Sequence, residues 1–182
     1  MLFHSLYSPS TGVYVEQRWC VIEGQLDVEA FQSAWNNVVN RHSILRSEFH
    51  WEETETPVQV VYDLVQPEWQ LDCLTDAHQE ADFEAFLQRD RERGFQLDRG
   101  PLLRFSLFPL GVKQHRFIWT YHHLLLDGWS NGLMIREVLE EYKNLKAFED
   151  SKTGPASRGG ATASRAAFRY RDFVEWHERR DV

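Results

Sequence analysis

Two adjacent histidines followed by an Asp-Gly pair are the residues of this sequence best suited to chemistry. His122 and His123 end an apolar, aromatic-rich segment, and Asp127 and Gly128 follow four and five residues after His123. Successive side chains of a strand point to opposite faces of a sheet, so the two imidazoles cannot serve one site as equals. An imidazole, with an ordinary pKa of about 6.5, can take or hold a proton at neutral pH. The pattern therefore indicates acid-base work by a single histidine.

Other interpretations of the pair remain open at this point. Both histidines could be hydrogen-bonded interior residues, with Asp127 and Gly128 forming only a turn. Two histidines and an aspartate can also bind zinc, but the opposed side chains argue against a metal site, and we expect none. Nucleophilic catalysis of the Ser-His-Asp type needs a serine or cysteine in an elbow such as G-x-S-x-G, which the sequence lacks.

The composition restricts the class of protein. The 182 residues are 42% hydrophobic, with seven Trp and twelve Phe, which is enough apolar material for the core of one domain. The net charge of -8 is spread along the chain without a Lys/Arg stripe, so nucleic acid is a poor candidate partner. No run of about 18 apolar residues and no signal-peptide pattern occurs, so we expect a cytoplasmic protein without membrane contact. Cys20 and Cys73 are too few and too far apart for a metal knuckle or a disulfide framework.

The local patterns predict a strand-and-helix protein. Residues 13–22 have the β-branched and aromatic content of a strand, and Asp27 is a suitable N-cap for the amphipathic helix that follows. Hairpin-like strand pairs imply a sheet that is not purely parallel, so we predict an α/β (α+β) sandwich with a mixed sheet flanked by helices. Further strands are predicted at 44–51, 57–63, 68–74, 102–110 and 115–125, and further helices at 76–93, 130–145 and 170–180.

Two features of the predicted elements bear on the site. On the last strand, alternate residues form two faces, and either face could be the core. One face of this strand carries Phe117, Trp119, Tyr121 and His123, and the other carries Ile118, Thr120 and His122.

Residues 151–165 are small, polar and glycine-bearing, which indicates a flexible connector.

Four sequence blocks together resemble the condensation domains of nonribosomal peptide synthetases. "HHLLLDG" at 122–128 is similar to the His-His-x-x-x-Asp-Gly signature of that family. The other three blocks occur in the family's order: "MLFHSLY" at 1–7, "RHSILRSEF" at 41–49 and "YRDFVEW" at 170–176. The resemblance covers nearly the whole chain.

The resemblance implies a fold and an activity. It implies a chloramphenicol acetyltransferase-like lobe, two of which form a V with a tunnel along their join. Carrier proteins would deliver substrates on phosphopantetheine arms, with no cofactor bound by the chain itself, and the acceptor amine would attack the donor thioester to form a peptide bond. Residues 1–182 would be the N-terminal lobe, with the C-terminal lobe and neighbouring synthetase domains as partners. The face left uncovered by the missing lobe would allow self-association.

The resemblance also implies roles for the motif residues. His123 would be the active-site residue, acting as a base or by positioning the amine, whereas His122 and Asp127 would be structural. A buried Asp127 carboxylate would need a cationic partner, for which Arg46 is the first choice and Arg41 the second.

Other residues near the motif receive weaker assignments. Gly128 would permit a positive φ and a close approach of substrate, and Ser130 would be the N-cap of the next helix. Tyr121, Trp129, Ser130 and His4 are candidates for the substrate tunnel, although Trp129 is expected to pack rather than to contact substrate and Tyr121 belongs to the tunnel wall or the core. His4, in the first block, could lie near the tunnel, although a structural role is favoured.

Two related functions are alternatives to amide formation. An isolated lobe could dock a carrier protein or a neighbouring domain without doing chemistry. An epimerization domain carries a similar histidine pair but inverts an α-carbon; "DGWS" at 127–130 and "MLFHSLY" resemble the condensation type more closely. The heterocyclization relative replaces the histidines with an aspartate pattern, so His122 and His123 count against it.

Overall fold

A four-stranded mixed sheet forms the centre of the part of the chain that the structure, a computed structural model, describes: residues 14–52, 54–71 and 80–152. Its strands lie in the order β1-β6-β5-β4; β6 is antiparallel to both neighbours and β4 is parallel to β5, which confirms the predicted mixed sheet. β2 and β3 form a separate antiparallel pair. The strands are β1 (Val15–Glu23), β2 (Ser47–His50), β3 (Val58–Val61), β4 (Glu68–Leu71), β5 (Leu103–Gly111) and β6 (Gln114–His122).

Helices flank the sheet, and local sequence signals set their ends. The Asp27 side chain accepts a hydrogen bond of 3.0 Å from the Ala30 amide, so it caps the first helix as predicted. Gly94, with φ of 62°, follows the second helix and permits the left-handed turn that ends it. Among the described helices, none is long and apolar enough to cross a membrane. The helices are α1 (Val28–Arg41), α2 (Glu80–Arg93) and α3 (Gly128–Lys152).

Both faces of the two central strands, β5 and β6, are covered by helices. On one face, the rings of Phe31 and Trp35 from α1 pack edge-on or tilted against Phe117, with centroids 5.0 and 5.2 Å apart. Met134 and Val138 of α3 belong to the same cluster. On the other face α2 forms a smaller cluster with the sheet, made of Phe83, Phe86, Leu87, Phe108 and Ile118. The two faces of β6 therefore both lie in core, which resolves the choice that the sequence left open.

A buried ion pair joins α2 to the sheet. Arg104 Nε donates to Asp90 Oδ1 over 2.6 Å, and both side chains are only 6% exposed. The second carboxylate oxygen of Asp90 accepts from Thr120 Oγ1 at 2.6 Å and from Gln17 Nε2 at 2.7 Å. The carboxylate thus links three strands, β1, β5 and β6, to the end of α2. A buried charge of this kind is tolerated because every oxygen has a donor.

Several predicted boundaries differ from the structure. Residues 43–46 form a short 3-10 helix rather than the start of a strand, and β2 begins only at Ser47. α3 begins two residues before the predicted 130 and extends to Lys152, so the first two residues of the predicted connector are helical. The start of the predicted helix at 76–79, the rest of the 151–165 connector and the segment 170–180 lie outside the described residues.

Candidate functional site

The two histidines begin a tight loop between the end of β6 and the start of α3. Backbone hydrogen bonds attach this loop to its surroundings: the His122 amide donates to the Leu102 carbonyl over 3.0 Å, and the His123 amide donates to the Tyr14 carbonyl over 2.8 Å. Inside the loop, the Leu125 amide donates to the His122 carbonyl at 3.0 Å. Residues 122–127, called the histidine loop below, are therefore held against β1 and the residue before β5.

His122 is a buried, neutral histidine. Its residue is 4% exposed, and its Nδ1 accepts a hydrogen bond of 3.2 Å from the Leu124 amide, which requires that nitrogen to be unprotonated. Burial, with a smaller contribution from the charge of His123, lowers the pKa of His122 to about 4. The ring lies 6.1 Å from that of Tyr14. His122 therefore belongs to the framework of the loop and keeps its neutral form at physiological pH.

Acidification should destabilise the fold through His122, by about 3 kcal/mol between pH 6.5 and 4. The unfolded chain binds a proton at this ring near the ordinary histidine pKa, whereas the folded chain binds it only near a pKa of about 4. Between these values the unfolded state holds more protons, so the free energy of unfolding falls as the pH falls. The stability lost through His122 is fully restored above about pH 6.5. Urea denaturation at stepped pH measures the loss.

The matched control is His122→Asn, which keeps an oxygen able to accept from the Leu124 amide but does not titrate. Other groups of the protein titrate equally in both chains, so only the difference between the two profiles belongs to His122. We expect that difference to grow as the pH is lowered through the window. Parallel profiles would contradict the buried neutral state assigned to this ring.

His123 has the opposite environment. Its side chain is half-buried rather than sealed in the core, and its Nδ1 lies 2.9 Å from the Leu126 carbonyl oxygen. A carbonyl oxygen has no proton to give, so the ring must donate its Nδ1 hydrogen in this contact. In the neutral ring Nε2 is then the nitrogen with a free lone pair. The backbone of the histidine loop thus orients one imidazole as a proton acceptor.

Asp127 does not form the predicted ion pair. It is exposed and caps α3: its Oδ1 accepts from the Ser130 amide at 2.7 Å, and hydrogen bonds from the amide and hydroxyl of Ser130 lower its pKa. Within the described residues no ion pair joins Asp127 to Arg46 or Arg41. The helix N-terminus satisfies the carboxylate without a cation, so the premise of a buried charge was wrong.

The two predicted arginine partners have other surroundings. Arg41 pairs with Glu141 at 2.7 Å and with Glu137 at 3.3 Å, which joins α1 to α3. The Nε of Arg46 is buried and has no hydrogen-bond partner in the described structure. Neither arginine pairs with Asp127 as the sequence analysis predicts. Arg41 pairs with acidic residues of α3, and no described residue forms a hydrogen bond with the Nε of Arg46.

The residues that start α3 also differ from expectation. Gly128 is the first helical residue and is not among the described glycines with positive φ, so that expectation was wrong. Ser130 is not the N-cap; its backbone amide donates to the Asp127 carboxylate, which caps the helix, because the helix begins two residues earlier than predicted. Trp129 is 81% exposed, so the packing role expected for it is not formed among the described residues. Tyr121 is in the core, and His4 lies outside the described residues.

The sequence analysis did not identify two groups that form hydrogen bonds with residues of the histidine loop. The Leu126 carbonyl is a backbone group, and no sequence pattern identifies it as the partner of His123. Asn131 was detectable: it lies three, four and seven residues before Met134, Ile135 and Val138, so it shares their apolar helix face. A polar side chain on such a face needs a buried partner.

Comparison with known proteins gives matches to one family. A family profile described as "Condensation domain" matches residues 1–181. The chain is 40% identical over 186 residues to a component of the linear gramicidin synthase of Brevibacillus parabrevis, and 35% identical over 181 residues to a component of the plipastatin synthase of Bacillus subtilis. These matches cover 100% and 97% of this chain but only 2% and 7% of the relatives.

Solved structures show the same fold. The starter condensation domain of rhizomide synthetase matches with a TM-score of 0.76 and 22% identity, over 99% of this chain and 43% of that one. The first condensation domain of the calcium-dependent antibiotic synthetase, solved with a substrate analogue, matches with a TM-score of 0.71 and 24% identity, over 100% of this chain and 41% of that one. The chain therefore spans less than half of each solved chain.

Proposed function

This chain belongs to the condensation-domain family, and we propose that it is one lobe of a domain that forms an amide bond between two carrier-bound substrates. The donor would be an acyl thioester and the acceptor an aminoacyl group with a free α-amine. The observation that carries the proposal is the state of His123: its Nδ1 hydrogen is engaged by the Leu126 carbonyl, and its ring is not sealed in the core. Nε2 is therefore available to a substrate amine.

The reaction that fits this geometry is nucleophilic acyl transfer. The amine nitrogen attacks the thioester carbonyl carbon, the new C–N bond forms, and the C–S bond breaks. The proton lost by the nitrogen passes to Nε2 of His123 and leaves with the departing thiolate as a thiol. The Nδ1 hydrogen stays on the ring and is donated to the Leu126 carbonyl oxygen throughout, which keeps the ring from rotating and stabilises the imidazolium.

Two roles for His123 share this geometry, and holding the two substrates together supplies a larger effect than a positioned base. A thioester is already activated, so holding the nitrogen and the carbonyl carbon together can supply about 7 to 11 kcal/mol in favourable intramolecular cases. A positioned base typically contributes about 10² to 10⁴ in rate. His123 therefore serves either as that base or as the hydrogen-bond acceptor that aligns the amine.

Substrates would arrive on phosphopantetheine arms of carrier proteins, and the start of α3 beside the histidine loop is open at two glycines. A Cβ atom built on Gly128 or Gly132 meets no atom within 4 Å. Trp129 and Leu133, one turn apart on α3, are exposed. We infer that the C-terminal lobe of the domain covers this apolar surface and completes the passage for both arms.

The test is a condensation assay on the two-lobed protein that contains this chain, with a donor and an acceptor carrier each loaded with an aminoacyl group. We expect mass spectrometry to find the dipeptidyl group on the acceptor carrier. An acceptor whose amine is acetylated is the matched control, because it can dock but has no nucleophile. The donor should then stay on its own carrier.

Two other results would overturn the proposal in favour of a related function. Binding of both carriers without any amide product would support a docking module. Exchange of the α-hydrogen of one carrier-bound aminoacyl group for deuterium, without transfer, would support an epimerization domain.

A further inference from the structure

Asn131 is a buried amide that contacts both ends of the histidine loop. Its residue is 6% exposed. The Nδ2 group donates to the hydroxyl of Tyr121, the residue before the loop. It also donates, at 3.1 Å, to the carbonyl oxygen of Asp127, the last residue of the loop. We infer that Asn131 is a positioning residue that holds the histidine loop closed and thereby sets the ring of His123; this rests on the proposed function.

The surroundings of Asn131 determine which way its amide points. Both Nδ2 hydrogens face oxygen atoms, those of Tyr121 and Asp127, while Oδ1 faces the indole N–H of Trp119 at 3.4 Å. An indole nitrogen can only donate, so a flipped amide would leave one donor facing another donor. Tyr121 and Trp119 are themselves core residues of β6. The amide is therefore anchored to a rigid strand, not to another loop.

The link from Asn131 to the His123 ring runs through two adjacent peptide units. Asp127, whose carbonyl accepts from Asn131, directly follows Leu126, whose carbonyl accepts from Nδ1 of His123. The two carbonyls belong to adjacent planar peptide units joined at the Asp127 Cα, so holding the first leaves only φ and ψ of Asp127 to change the direction of the second. Tyr121 lies only two residues before His123. A residue before His123 and a residue after it, Tyr121 and Asp127, therefore both form hydrogen bonds with the Asn131 side chain.

Loss of the amide should affect the chemistry more than the binding of substrates. Without the Asn131 side chain the Asp127 carbonyl keeps the 3.2 Å hydrogen bond from the backbone amide of residue 131 but loses the one from Nδ2. The Leu126 carbonyl is then less restrained, and the His123 ring can adopt the other tautomer, with its hydrogen on Nε2 and no lone pair for the amine. Misplacement of a reacting group by about 1 Å can cost about 10²-fold in rate. Asn131 is only 6% exposed, which leaves little of it for a carrier protein to contact, so the apparent KM for the carriers should not follow the fall in kcat.

The experiment uses Asn131→Leu in the two-lobed protein, with histidine ring nitrogens labelled for NMR. We expect kcat to fall about tenfold or more, with KM for each carrier within about twofold of the parent value. Long-range proton–nitrogen spectra should find His123 in the Nδ1–H form in the parent and a mixture of tautomers in the variant. The His123 signals are assigned by their loss in His123→Asn.

Asn40→Leu is the matched control. Asn40 is also a partly buried helix asparagine with three hydrogen bonds, two with Val65 and one to the Asn36 carbonyl, but it lies on α1 away from the loop. It should lose comparable stability and leave both kcat and the His123 tautomer unchanged. Tyr121→Phe removes only the hydroxyl partner and should shift the tautomer in the same direction by less. It serves as the probe if Asn131→Leu does not fold.

The tautomer measurement decides the inference separately from the proposed function. Retention of the Nδ1–H form and of kcat in Asn131→Leu, or in Tyr121→Phe where that variant is used, overturns the positioning role. A parent protein that forms no amide overturns the proposed function instead, while the tautomer shift still reports whether Asn131 sets the ring.

Discussion

Replacing His123 with alanine should lower the rate of amide formation by about 10² to 10⁴-fold without unfolding the domain. The side chain is half-buried at the surface of the loop, and its one hydrogen bond in the described structure is to the Leu126 carbonyl, so little packing is lost. The thioester and the amine would still meet, which is why a residual rate is expected above the uncatalysed one. Single-turnover assays with loaded carriers measure the chemical step, and thermal melting checks the fold.

The companion variant His123→Asn separates the two ring nitrogens. An asparagine amide can place a donor near the position of Nδ1 and keep the contact with the Leu126 carbonyl, but it has nothing at the position of Nε2. It should therefore be as inactive as the alanine variant. His50→Ala, which removes a half-exposed histidine from the β2-β3 pair, should keep the parent rate. Near-parent turnover by His123→Ala would refute the assignment of this ring.

Replacing Asp90 with alanine should be among the most damaging single changes to stability, at a cost of about 3 to 5 kcal/mol. The Arg104 guanidinium would remain buried without its counter-charge, and the Thr120 hydroxyl and Gln17 amide would each lose an acceptor. For a protein of this size that loss should lower the melting temperature by about 10 °C. Urea denaturation of the two chains measures the difference in the free energy of unfolding.

Two further variants show whether the cost comes from the stranded charge. Arg104→Met in the Asp90→Ala background removes the unpaired guanidinium and should recover most of the stability, because an apolar pair can replace a buried ion pair at little cost. Glu68→Ala breaks the exposed bidentate pair with Arg93, at 2.6 and 2.8 Å, and should cost at most about 1 kcal/mol. Equal losses from Asp90→Ala and Glu68→Ala would contradict the role of burial.

Much of the local architecture was readable from the sequence because it depends on neighbours along the chain. Alternating and three-and-four patterns located the described strands and helices, and Asp27 marked the start of α1 correctly. The errors occurred where a local signal had more than one solution. Ser130 and Asp127 are both good capping residues, and only the observed start of α3 at Gly128 selects Asp127.

The sequence by itself determined the family, the mixed α+β fold and the presence of a histidine pair, since these follow from motif order and from the periods of strands and helices. Only the tertiary structure decided which ring is buried, that Asp127 caps a helix instead of pairing with an arginine, that the Leu126 carbonyl contacts His123, and that Asn131 contacts the Asp127 carbonyl. The physical reason is that burial, and the hydrogen bonds it makes obligatory, depend on α2, α3 and the neighbouring strands packing against β6, and such contacts join residues far apart in the chain.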